Sequence, residues 1–255
     1  MTDAAVCFDN LGFFYEADHW VLRGYSGRVE RGRAFAILGP NGRGKTTLLK
    51  LLIGALKPVE GDLRVDGRIA FVPQLFQVSF PYTVLDMVLM GRARRLGLFA
   101  TPSRRDESAA LTALERLGLA DLVERPFDEL SGGQRQLVIF ARALASEADI
   151  LVLDEPTSAL DLKNQGIILE WIERLSREHG LTVVFTTHHP HHAHAVADIT
   201  LLMMGEHDFV CGPTNDVMTE DRLHDLYGID LKRLSFEHGG KTRETFVPVY
   251  PGIDG

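Results

Sequence analysis

The sequence predicts an α/β fold with a mainly parallel central sheet, an antiparallel β subdomain at the N-terminus and an inserted helical subdomain. Three observations carry that expectation. Short apolar runs broken by glycine and polar residues fill the opening stretch: Ala5–Phe8, Trp20–Leu22 and Ala34–Leu38. Such runs read as strands. The apolar run Ile150–Leu153 and a second buried strand, Leu181–Thr186, flank a helical period over 162–178 with Ile168, Trp171, Ile172 and Leu175 on one stripe. Strand, helix and strand at that spacing make a right-handed βαβ crossover, and continuously apolar strands belong to a parallel sheet covered on both faces. Between 83 and 145 the strand signals vanish and helical spacing replaces them, as in Ala110, Ala113, Leu114 and Leu117.

The remaining elements follow in order. After Leu38 a largely buried helix is expected over 46–56 through Leu48, Leu49, Leu51, Leu52, Ile53 and Leu56, weakened by Gly54 and ended by Pro58. Ser131-x-x-Gln134 is a capping box that opens a helix through Leu137, Val138, Phe140, Ala141, Leu144 and Ala145. Pro190 marks another helix start. In the tail, Phe246–Tyr250 reads as one more strand or as a docking segment. The expected organisation is a single domain: a core of about 1–82 and 146–229, a helical subdomain of about 83–145 and a short tail at 230–255.

Composition bounds the function. The chain has 255 residues, 45% hydrophobic and 24% charged, as in a globular protein rather than a disordered or fibrous one. No apolar run is long enough to span a bilayer, and Met1-Thr2-Asp3-Ala4-Ala5 lacks the basic start of a signal peptide. The balance of 27 basic against 35 acidic residues, a net −8, argues against a nucleic-acid-binding surface. Cys7 and Cys211 lie far apart without CxxC spacing, which gives a disulfide framework or zinc site no support and leaves two buried, reduced thiols as the expectation.

The chemistry concentrates in three places. Gly39-Pro40-Asn41-Gly42-Arg43-Gly44-Lys45-Thr46 fits G-x-x-x-x-G-K-[ST] between a strand and a helix, as in a P-loop NTPase core. Its glycines let backbone N–H groups close around phosphates, the helix N-terminus adds partial positive charge, Lys45 reaches the outer phosphates and the Thr46 hydroxyl is placed for Mg²⁺. Asp154 and Glu155 end a buried strand, where ligands of open α/β sheets bind. Asp154 is assigned to Mg²⁺ and Glu155 to the water that attacks the γ-phosphate. The third place is Leu130-Ser131-Gly132-Gly133-Gln134. Two adjacent glycines add nothing to a cap, and they make sense where backbone N–H groups approach an anion closely.

With these motifs in place, the chain resembles the ATP-binding cassette family, the nucleotide-binding subunits of ABC transporters, over nearly its whole length. Gly39 to Thr46 resembles the family's Walker A, with Thr47 following, and Gln74 the Q-loop glutamine. Leu130 to Gln134 is similar to the signature, Asp154-Glu155 to Walker B with its catalytic glutamate, Ser158-Ala159-Leu160-Asp161 to the D-loop, and His188 to the switch histidine. Tyr15 sits where the family stacks an aromatic on adenine. The resemblance implies a head-to-tail homodimer with two ATP molecules and Mg²⁺ between the copies. Ser131, Gly132, Gly133 and Gln134 would act in trans, Glu155 and His188 would order water and γ-phosphate, and Gln74 would couple the metal to membrane subunits. It further implies transmembrane permease subunits, indirectly a substrate-binding protein, no nucleic acid, and a place on the cytoplasmic face of the membrane.

Val88-Leu89-Met90-Gly91-Arg92 and Asp154 to Leu162 resemble the importers of iron-siderophore, haem, cobalamin and molybdate or tungstate, although Val88 to Arg92 reads equally as core of the helical lobe. Leu75, Phe76, Val78 and Phe80 are apolar in an expected surface segment, a composition suited to an interface. Arg43 departs from the usual small residue, and His189 from a usual acidic one. The run His188-His189-Pro190-His191-His192-Ala193-His194 also resembles a metal-binding tract, pairing His188 with His192 or His191 with His194. Two other classes stand beside the transporter reading: a soluble non-transport ABC ATPase, and a catalytically silent nucleotide switch.

Overall fold

The computed structural model describes residues 4–17, 19–74, 80–95, 101–158 and 160–250, with 94 and 95 described by backbone alone. In chain order the strands and α-helices are β1 (Ala4–Glu16), β2 (His19–Glu30), β3 (Ala34–Leu38), α1 (Lys45–Leu52), β4 (Glu60–Val65), β5 (Ile69–Val72), α2 (Val84–Leu89), α3 (Arg104–Arg116), α4 (Gly132–Ala145), β6 (Ile150–Leu153), α5 (Leu162–Arg177), β7 (Thr182–Thr187), α6 (Pro190–Val196), β8 (Ile199–Met203), β9 (Phe209–Pro213), α7 (Thr214–Val217), α8 (Glu220–Tyr227), β10 (Asp230–His238) and β11 (Lys241–Val249). They group into two compact units, 1–66 with 169–255, and 67–168.

In the first unit β3 lies between β7 and β8, parallel to both, and β9 runs antiparallel to β8. All five residues of β3 and all six of β7 are buried, as expected of interior parallel strands spelled with apolar and β-branched residues. A separate antiparallel sheet has the order β2-β1-β4. β1 is longer than the apolar run Ala5–Phe8 indicates, because Asn10 takes a left-handed φ of 50° and the register shifts around it without ending the pairing. α1 stops at Leu52, short of the expected 56, where the chain turns through Gly54 at φ 75°.

Cys7 corrects the expectation of two buried thiols. Val6 and Phe8 flank it on the covered face of β1, so alternation turns Cys7 outward, where it is exposed. Cys211 is half-buried, and burial pushes its thiol up to about 11. The tail also exceeds the expectation of a single strand. It is an antiparallel hairpin, β10 with β11, whose Leu231 and Phe246 are buried while the neighbouring positions stay polar or exposed.

In the second unit β5 pairs parallel with β6, and α2, α3 and α4 pack on one another. Val84, Met87, Val88, Leu114, Val138 and Phe140 form the interior of this lobe. Of Gly91 and Arg92, read from sequence as family wording or as core, Gly91 is half-buried and Arg92 buried. A Cβ on Gly91 would overlap the Arg142 carbonyl, and Arg92, 1% exposed, bonds Asp106 at 2.9 Å and the Ala145 carbonyl at 2.8 Å. Asp106 closes the capping box of α3 with Ser103. Hydrogen bonds from Ser103 and then from Arg92 hold its carboxyl down at about 2.

Candidate functional site

The phosphate loop leaves the buried end of β3. Gly39 N–H donates to the Thr187 carbonyl at 3.4 Å, which ties the loop to the end of β7. Gly44 precedes α1 with φ 87°, and a Cβ there would overlap Val21, so glycine is required twice over. Lys45 is 5% exposed. Its Nζ donates to the Gly39 carbonyl at 2.9 Å and to the Pro40 carbonyl at 3.1 Å, which folds the ammonium back over the loop. Asn41, Gly42 and Arg43 are exposed at the tip, Thr46 is exposed on the first turn of α1, and Thr47 is buried behind it. No acidic residue stands in that first turn, so the positive end of the helix is not neutralised from within it.

Tyr15 stands close by on β1, 58% exposed, with its hydroxyl 3.3 Å from Thr47 Oγ1 and its ring edge-on to Phe13. An exposed ring face beside a phosphate loop is free to stack on a base. His188 occupies the turn between β7 and α6, and its carbonyl accepts a hydrogen bond from Tyr227 Oη at 3.0 Å. Sequence reasoning missed Tyr227, which lies 39 positions away and carries no local signal.

The acidic pair lies in the second unit. β6 is buried throughout, and its parallel pairing with β5 brings the ends of both strands together. Gln74, just past β5, therefore meets Glu155, just past β6: Gln74 Nε2 donates to Glu155 Oε2 and to Ser158 Oγ, both at 3.3 Å. Asp154 is 5% exposed, and its N–H bonds the Val72 carbonyl at 2.9 Å. Glu155 has a φ of 45°, a left-handed backbone that non-glycine residues adopt at a cost and that concentrates at functional sites.

The capping box at 131–134 forms in both directions: Gln134 N–H to Ser131 Oγ at 3.3 Å, and Ser131 N–H to Gln134 Oε1 at 3.0 Å. The two glycines differ. A Cβ on Gly133 would overlap the Asn164 amide, whereas one on Gly132 would meet nothing within 4 Å. Close internal packing explains Gly133, and an open face remains at Gly132. Asp161 Oδ1 accepts the Asn164 N–H at 2.8 Å, so the aspartate fixes the residue that packs on Gly133. Asn164 was missed in the sequence, although Asp161-x-x-Asn164 at a helix start was a readable cap. Ala159, Leu75, Phe76 and Val78 lie outside the described residues; Phe80 is 67% exposed.

The histidine run does not pair as the tract reading expected. α6 begins at Pro190, so His188 precedes the helix and cannot share its face with His192. The His189 ring neighbours those of His188, His192 and His191, with centroids 4.0, 4.8 and 5.4 Å away, His191 neighbours His192 at 4.3 Å, and His194 packs edge-on to Phe246. Among the described residues no group of three or more His, Cys, Asp or Glu is placed to hold a metal ion. Among the described residues no helix is long and apolar enough to cross a membrane.

Residues 22–158 match the profile of the ABC transporter family. Over 250 residues the chain is 43% identical to the molybdate import ATP-binding protein MolC of Haemophilus influenzae, covering 96% of this chain and 97% of that protein. Among solved structures it is similar to a chain of an inward-facing ABC transporter assigned to the metal-chelate type, at TM-score 0.92 and 42% identity, covering 97% and 98% of the two chains. It is also similar to a bacterial ABC transporter cassette solved as a dimer, at TM-score 0.68 and 27% identity, covering 77% and 93%.

Proposed function

The chain belongs to the ABC transporter family, and from that premise we propose that it is the ATP-hydrolysing nucleotide-binding subunit of an importer, working as a head-to-tail homodimer. The observation that carries this reading is the state of Lys45. Its ammonium is drawn over the loop by the Gly39 and Pro40 carbonyls at the N-terminus of α1, whose first turn carries no acidic residue, an anion cradle formed in advance. A polyphosphate fits there by taking the ammonium from those carbonyls.

The residue roles follow. Backbone N–H groups of Gly39 to Thr46 and the Lys45 ammonium bind the phosphates, and Tyr15 stacks on the base. Thr46, Asp154 and Gln74 suit Mg²⁺, being hard oxygen donors. When bound, the metal neutralises charge on the β- and γ-phosphates. Glu155 accepts the proton of water as its oxygen bonds to the γ-phosphorus, and the bond from that phosphorus to the β–γ bridging oxygen breaks to give ADP and phosphate. His188 holds the γ-phosphate oxygens. Ser131, Gly132, Gly133 and Gln134 face the nucleotide of the partner copy, with Asp161 holding Asn164 beneath them.

The 255 residues act as one ATPase domain whose helical part, about 83–145, docks permease subunits on the cytoplasmic face of the membrane, with a substrate-binding protein serving the other side. The cargo is a metal chelate or metal oxyanion. The name of the 43%-identical protein, a molybdate importer subunit, and the metal-chelate type of the similar structure support that class. Phosphate release from Mg-ATP by the wild type and by Lys45→Ala tests the ATPase. An unchanged rate in the variant, or none in the wild type, refutes it and leaves a nucleotide switch.

A further inference from the structure

The switch turn is held by a clamp outside the motifs. His188 and His189 share one peptide group, and both of its polar ends are bound: Tyr227 Oη donates to the His188 carbonyl at 3.0 Å, and the His189 N–H donates to Thr187 Oγ1 at 3.0 Å. A peptide group is planar, so holding its C=O and its N–H holds the plane that follows the His188 Cα, which restrains ψ of His188 and the direction in which its Cα–Cβ bond leaves the chain. Tyr227 is itself held. It ends α8, which closes on Gly228 with a left-handed φ of 70°, and the chain runs at once into β10 of the tail hairpin. The hairpin returns to α6 at its other end, where Phe246 packs edge-on to His194. The segment from Tyr227 to Phe246 thus grips α6 at the turn that precedes it and near its last turn.

We propose that Tyr227 is a positioning residue for His188, setting the orientation of the switch histidine through its carbonyl. The inference rests on the reading of His188 as the γ-phosphate contact, and it gives the tail a role in the same site. Tyr227→Phe removes the hydroxyl and keeps the ring. In the full-length chain at saturating Mg-ATP, kcat should fall roughly fivefold, the loss of one neutral hydrogen bond from the positioning of a reacting group. ATP affinity and thermal midpoint should stay at wild-type values, because Tyr227→Phe keeps the ring and its packing and removes only the hydroxyl that bonds the His188 carbonyl. Thr187→Val, which frees the other end of the same peptide, should also lower kcat, and the double variant should lose less than the product of the two losses. His188→Ala is the control. If it abolishes turnover while Tyr227→Phe keeps a wild-type kcat, the positioning role is overturned and the reading of His188 stands. If kcat, ATP affinity and thermal midpoint all fall together in Tyr227→Phe, the hydroxyl is merely structural and the proposal is also overturned. If His188→Ala retains full turnover, the reading of His188 fails and the inference falls with it.

Discussion

Gly132→Ala should raise stability and destroy turnover, a combination that few substitutions produce. Gly132 is the first residue of α4, exposed, and a Cβ there meets nothing within 4 Å. Within the chain, alanine gains helix propensity, about 0.5–1 kcal/mol at most and less at a first-turn position. For a chain of this length that lifts the thermal midpoint by about 1–3 °C. Gly133→Ala does the opposite: its methyl must displace the Asn164 amide, an overpacking cost of about 1–3 kcal/mol. On the proposed head-to-tail arrangement, the functional effect of Gly132→Ala comes from the partner copy. A methyl between the helix N-terminus and a phosphate pushes the two apart by about an ångström, enough to lower ATPase activity about a hundredfold. Differential scanning calorimetry with a phosphate-release assay on both variants reads this directly. A Gly132→Ala protein that hydrolyses ATP at the wild-type rate would show that the open face of α4 meets no nucleotide. One that loses activity and stability together would show that Gly132 is structural.

Glu155→Gln keeps the shape of the side chain and removes the proton acceptor, so with ATP it should elute from size exclusion as a stable dimer; a monomer under those conditions contradicts the assignment. His192 gives a pH test. Burial, reinforced by the charges of His191, His189 and His188, holds its imidazole at about 3, against about 6.5 when unfolded. Above pH 6.5 neither state binds the proton, while below it the unfolded state takes up a proton that the fold refuses. Stability should therefore decline from pH 6.5 toward pH 3, and His192→Gln should flatten that decline in denaturant titrations; an unchanged slope removes His192 as its source. Phe80→Asp should abolish co-purification with the permease while leaving ATP binding intact, and retained co-purification places the docking surface elsewhere.

The sequence made legible whatever depends on neighbours along the chain. The phosphate loop, the apolar runs of β3, β6 and β7, the helix at 162–177 and the capping box at 131–134 are local patterns of period, glycine and cap, and they stand where the reading placed them. Contacts between distant residues were not readable. Gln74 meets Glu155 only because β5 and β6 pair in parallel, and Gly133 needs to be glycine because Asn164 returns beneath it. The tail hairpin was half seen, since only Leu231 and Phe246 are buried and the intervening charges mask the alternation. Cys7 was misjudged on residue type alone, when the alternation of Val6 and Phe8 already pointed it outward.

The central claim is that each ATP site is built from two copies of this chain, and mixing two dead variants tests it most directly. Lys45→Ala lacks the phosphate-binding ammonium, and Ser131→Arg blocks the signature. In a head-to-tail pair of the two, one site carries both lesions and the other carries neither. Mixed in equal amounts, they should regain ATPase activity toward about a quarter of wild type, since about half the pairs are mixed and each mixed pair has one sound site. Activity that stays at the sum of the two variants measured alone would contradict a composite site.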